Sequence, residues 1–199
     1  MFLDDPNVLY FSVHRWHGGN FYPFRQSGGP RSIGTGRGQG YNMNVGWTHK
    51  GMGDEEYAAV WEQLLLPVAR EFDPELVLVS AGFDAAQGDM GECCITPQGF
   101  AYLTRALMTL AQGRVVCALE GGYVHSILGQ CVKSVVKTLL NRESPQICLQ
   151  EELEHAADEE DDNDIMMTID PSAARDIRAT MDAHRPYWKC LATDEALAS

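Results

Sequence analysis

The sequence predicts an α/β protein built on an open, mostly parallel sheet with helices on both faces. Residues 76–79 (Leu-Val-Leu-Val) and 115–119 (Val-Val-Cys-Ala-Leu) are short continuous apolar runs of the kind found in strands buried on both sides. Each is followed by a segment with apolar residues at helical spacing, and strand, helix, strand, helix is the order that builds a parallel sheet. The chain of 199 residues is 45% apolar and 9% aromatic, enough for one domain with a real core.

Val8 to Val13 is β-prone and bounded by Pro6, which suits a buried strand. From Gly18 to Gly40 the chain is rich in glycine, with Pro23 and Pro30, and reads as a long loop; an apolar pattern returns at residues 41–45. Asp54 can cap a helix running to about Phe72, with Tyr57, Val60, Trp61, Leu64, Leu65 and Val68 on one face and a kink at Pro67. Thr96-Pro97 opens the next helix in the favoured order of cap then proline, and Gly113 ends it. Beyond the second strand and Gly121-Gly122, a helix carries Ile127, Cys131, Val135 and Leu139 inward, and the core ends near Leu140. Asp170-Pro171-Ser172 can start a final helix whose aromatic end, Tyr187 and Trp188, gives it a reason to dock on the body.

The net charge of −13 is unevenly placed. Residues 151–164 hold nine acids and no Lys or Arg, which predicts a solvated, disordered linker. The expected organisation is therefore a body over 1–149, an acidic linker over 150–168 and a helical tail over 169–199. No Lys/Arg cluster offers the basic surface that direct nucleic-acid binding needs. No run approaches the roughly 18 apolar residues of a membrane span, and the start resembles no signal peptide, so the expected location is cytoplasm or nucleus. The six cysteines form no CxxC pair and read as reduced thiols.

Ligand sites of open α/β sheets lie beyond the carboxyl ends of the strands, and two loops there carry chemistry. In the first, residues 80–89 (Ser-Ala-Gly-Phe-Asp-Ala-Ala-Gln-Gly-Asp), Asp84 can be a metal ligand, a general base or the cap of the next helix. In the second, Glu120-Gly121-Gly122-Tyr123, the glycines let backbone approach a ligand, and Tyr123 can donate to an oxyanion or simply pack.

Together, Ser80-Ala-Gly-Phe-Asp84 and Leu119-Glu-Gly-Gly-Tyr123 resemble the zinc-dependent histone deacetylase family. Residues 4–15 (Asp-Asp-Pro-Asn-Val-Leu-Tyr-Phe-Ser-Val-His-Arg), 40–45 and 72–80 look like class II deacetylases, closest to the class IIb tubulin-deacetylase type; His184-Arg-Pro-Tyr-Trp188 looks similar too. The resemblance implies the C-terminal half of an arginase/deacetylase-like catalytic domain that hydrolyses acetyl-lysine on histones or other proteins. By the same resemblance Asp84 is a zinc ligand, Tyr123 polarises the acetyl carbonyl, Phe21 and Tyr22 line the acetyl-lysine tunnel, and Gly121 and Gly122 lie under the substrate. A histidine at position 123 would mark the weakly active class IIa subgroup. Ser12 and Val13 match a K+ site near the zinc, and Phe2, Asp5, Val8 and Tyr41 match a second one.

The chain also departs from the pattern. The family's Asp-x-His ligand pair and its water-activating His-His pair have no counterpart here, and His14, His17, His49, His125, His155 and His184 read as surface or packing residues. The expectation is a fragment inactive by itself; the alternative is a non-catalytic binding or scaffold protein that engages partner proteins. After Gly88-Asp89 the usual proline is missing and Met90-Gly91-Glu92 looks one residue short, so Glu92 at the rim is a candidate for favouring a cationic substrate. Residues 34–40 (Gly-Thr-Gly-Arg-Gly-Gln-Gly) have the wrong spacing for a nucleotide-binding loop.

Overall fold

The computed structural model describes residues 1–140 and 168–192, so most of the expected acidic linker, Cys148 and His155 lie outside the described residues. The class is α/β, with parallel strands and helices packed on them. β1 (Tyr10–Arg15) pairs with β2 (Asn42–Trp47), and β3 (Val77–Ala81) pairs with β4 (Val115–Leu119); both ladders are parallel. The two pairs are separate two-stranded ladders among the described residues. The loop between β1 and β2 holds three short 3₁₀ turns, at His17–Gly19, Gln26–Gly28 and Gly36–Gly38.

The helix expected from Asp54 to Phe72 is present as α1 (Asp54–Val60), one wide π turn over Trp61–Leu65, and α2 (Leu66–Phe72). Pro67 has no N–H for the ladder and its ring crowds the carbonyl four residues back, so the helix widens just before it. Asp54 is not the cap. Gly53 takes that position, its N–H donating to the Glu56 carboxylate at 2.7 Å. Asp54 instead accepts from the Thr96 N–H (2.8 Å) and hydroxyl (2.6 Å), tying α1 to the start of α3 (Pro97–Leu107). Thr96 caps α3 as expected, its hydroxyl accepting from the Gly99 N–H at 3.0 Å.

Met43, Val45 and Trp47 of β2 pack with Tyr57, Val60, Leu64 and Val68 in the main core. Val77 and Val79 of β3 lie on Leu65, Leu66, Ala69, Leu107 and Leu110, while α4 (His125–Leu139) sends Cys131 and Val135 against Phe83 and Ala86. The apolar runs thus acquire an alternating burial, with Leu78 72% and Val116 53% exposed on the outer face.

The last helix, α5 (Pro171–His184), starts on the Asp170 cap, whose carboxylate accepts from the Ser172 N–H at 2.7 Å. It ends at His184 rather than at the aromatic pair. Trp188 docks as expected, edge-on to Tyr41 with ring centroids 5.1 Å apart. Three side chains from this end of the chain meet alternate carbonyls along β2 and the residues leading into it: Thr180 Oγ1 donates to Asn44 O (2.9 Å), His184 Nε2 lies 3.0 Å from Asn42 O, and Trp188 Nε1 donates to Gly40 O (2.9 Å). These carbonyls point away from β1, which uses the intervening set: the Tyr10 and Trp16 N–H groups donate to Tyr41 O and Trp47 O. His184 is fully buried, and its Nδ1 also reaches Thr180 O at 2.9 Å. Replacing His184 by Ala would take the side-chain partner from the Asn42 carbonyl and leave a cavity between the helix and β2. The expected loss is about 2–4 kcal/mol, read as a lower urea midpoint at unchanged slope.

Candidate active site

The loops after β3 and β4 meet. Glu120 N–H donates to Ala81 O (3.1 Å) and Phe83 N–H to Gly121 O (3.0 Å), so the two strand ends are laced by main chain. Asp84 sits in the 3₁₀ turn Phe83–Ala85, which carries no side-chain cap, so the capping alternative does not describe it. Its half-buried carboxylate lies on Gly121: a Cβ there would come within 2.8 Å of Asp84 Cγ. A Cβ on Gly82 would come 3.0 Å from Asp84 Oδ1, and one on Gly91 2.4 Å from Asp84 O. Two glycines therefore make room for the carboxylate and a third for its main-chain carbonyl, and a side chain at Gly121 would collide with the carboxylate.

Gly122 (φ +124°) turns the chain, and Tyr123 follows, 59% exposed. The Tyr123 and Val124 N–H groups both donate to Asp89 Oδ2 at 2.9 Å, and the Met90 N–H donates to Asp89 Oδ1 at 2.6 Å. Burial alone would raise the Asp89 pKa, but the three main-chain donors outweigh it and hold the carboxyl below its ordinary range. Asp89 was missed as a functional candidate, because its partners are backbone groups 34 and 35 residues away.

Phe21 lies half-buried under the Arg15 guanidinium, 4.8 Å from ring centroid to Cζ, whereas Tyr22 is 77% exposed. Arg15 also donates to Glu92 at 2.7 Å, and Lys50 stands 3.7 Å from the same carboxylate, so Glu92 already has two cationic neighbours. Ser12 Oγ lies 2.8 Å from His14 Nδ1, and His14 Nε2 lies 2.9 Å from Gly28 O; burial lowers the His14 pKa, opposed by that carbonyl. Val13 is half-buried in β1. Phe2 O accepts from the Asp5 N–H (3.2 Å), Asp5 O from the Val8 N–H (3.4 Å) and Tyr41 O from the Tyr10 N–H (2.9 Å). Cys93 and Cys131 are buried thiols pushed up by burial, Cys131 to about 11, which suits inert core residues.

A hydrolytic zinc takes three protein ligands. Among the described residues no three His, Cys, Asp or Glu side chains gather to hold a metal, so Asp84 alone does not make a zinc centre.

A carboxylate seated on a diglycine at the carboxyl ends of two parallel strands, with a tyrosine next in the chain, makes this a strand-end site of the kind open α/β sheets use for ligands. The histone deacetylase domain model matches residues 1–139, and the chain belongs to that family. The class II resemblance holds among its relatives. The chain is 42% identical over 199 residues to the human polyamine deacetylase HDAC10, covering 100% of this chain and 27% of that protein. It is 49% identical over 141 residues to histone deacetylase 18 of Arabidopsis thaliana, covering 70% of this chain and 21% of that protein. The solved structure of the histone deacetylase Clr3 superposes with a TM-score of 0.84 at 36% identity, covering 96% of this chain and 30% of that one. The HDA15 HD domain does so with a TM-score of 0.79 at 32% identity, over 96% and 47%. The chain thus spans about a quarter of the length of the curated relatives it matches.

Proposed function

We propose that the protein carrying this chain is a zinc-dependent amide hydrolase that removes acetyl groups from lysine side chains or other acetylated amines. The observation that carries this reading is the seating of Asp84 on Gly121, with Tyr123 two residues beyond. Asp84 would be one zinc ligand, and bound zinc would supply Lewis-acid activation of water. Tyr123 would donate its hydroxyl to the oxyanion, Gly121 and Gly122 would admit the substrate, and Phe21 and Tyr22 would flank its aliphatic stem. Glu92 would sit at the rim with its charge shared by Arg15 and Lys50. Ser12 and Val13, and separately Phe2, Asp5, Val8 and Tyr41, would hold K+ ions. Cytoplasm or nucleus is the proposed location; no described helix is long and apolar enough to cross a membrane.

Acetate release by the full-length protein from an acetyl-lysine peptide and from an acetylated polyamine, abolished by chelation and restored by Zn2+, tests the reading. No release from either substrate sinks it.

A second reading, a binding or scaffold protein, is favoured for the 199 residues by themselves, because no three-ligand group forms among those described. Expressed alone, they are expected to take up substoichiometric zinc and to show no turnover. Elemental analysis and a deacetylation assay on purified monomer check this; one zinc per chain with sustained turnover would overturn this second reading.

A further inference from the structure

We propose that Asp89 is a positioning residue for Tyr123, stapling the loop that carries the tyrosine to the loop that carries Asp84. The inference rests on the reading of Tyr123 as the oxyanion donor, and goes beyond it by naming what holds that donor in place. Asp89 is 7% exposed, and among the described residues it has no ion pair; its charged carboxylate is instead held by three main-chain donors. One donor, Met90, belongs to its own loop, and the other two, Tyr123 and Val124, belong to the loop after β4.

Tyr123 is 59% exposed, so side-chain packing among the described residues does little to fix it. Its placement must come from its main chain. There the Tyr123 N–H finds its acceptor in Asp89, and the preceding residue, Gly122, adopts a φ of +124° that gives the chain no stiffness of its own. Val124, the residue before α4, has no side chain able to cap a helix, so Asp89 also sets a negative charge at the start of that helix, where the aligned peptide dipoles favour it. Asp89 and Asp84 are joined through a short loop in which the Asp89 N–H donates to Ala86 O and the Gly91 N–H to Asp84 O. The ligand carboxylate and the donor hydroxyl are thereby referenced to one rigid frame, and a displacement of about 1 Å in such a frame can cost on the order of a hundredfold in rate.

The test is a double-mutant cycle in the full-length protein. Asp89→Ala is expected to lower kcat by roughly tenfold to a hundredfold, with KM and zinc content nearly unchanged. In the Tyr123→Phe background the same substitution is expected to cost no more than about twofold, because the hydroxyl it positions is gone. Equal losses in both backgrounds, or no loss in the first, would overturn the proposal. If Asp89→Ala does not fold, Asp89→Asn carries the same cycle: the amide keeps one acceptor oxygen but turns a donor towards one of the N–H groups. Full turnover in Tyr123→Phe alone would overturn the oxyanion reading and the proposal together. That result differs from an additive cycle, which removes Asp89's role and leaves Tyr123's intact.

Discussion

Tyr123→Phe is expected to reduce turnover by about 10²–10³-fold while leaving zinc content and stability unchanged. The substitution removes one hydroxyl and keeps the ring, the Asp89 bonds to the main chain and the turn at Gly122. Because Tyr123 is exposed among the described residues and only its hydroxyl is removed, the melting temperature should not move. The loss should fall in kcat more than in KM, since the donor acts on charge that develops only in the transition state. A rate within twofold of the parent would show that Tyr123 is a surface residue.

Asp84→Asn is expected to abolish both zinc binding and turnover in the full-length protein. The amide oxygen is neutral and a weaker ligand, while its NH2 half offers the metal nothing. A helix cap or an ion pair lost at this position would instead appear as lower stability. Asp84 caps no described helix and forms no ion pair among the described residues, so the fold should persist. Elemental analysis alongside thermal melting separates the outcomes; a folded variant with full zinc would remove Asp84 from the metal site.

How far the sequence could be read depended on where each residue finds its partner. Thr96 was legible as a cap because the N–H it accepts lies three residues on. Asp54 was misread because the groups it binds lie 42 residues away, in a turn whose approach no local pattern announces. Pro67 announced a disturbance, but not that a π turn would absorb it. Leu78 and Val116 sit in runs with no polar alternation, so their outward facing could not be seen before their neighbours were known. In the site, Asp84 and Tyr123 came from motif spacing. Asp89 stands in the same quoted stretch, but its role lies in main-chain groups that have no side-chain signature.

The contact between α5 and β2 bears on how the protein is made. On this edge the outward carbonyls of Asn42 and Asn44 in β2, and of Gly40 just ahead of it, lack these partners until Thr180, His184 and Trp188 arrive, and Thr180 follows Asn44 by 136 residues. At ribosomal rates of about 5–20 residues per second, that edge stays open on the nascent chain for on the order of ten seconds. During that interval β2 is a template for pairing with any other extended segment in reach. A ribosome stalled before residue 180 would release a chain with this edge exposed, and such products should depend on chaperones far more than the finished one does.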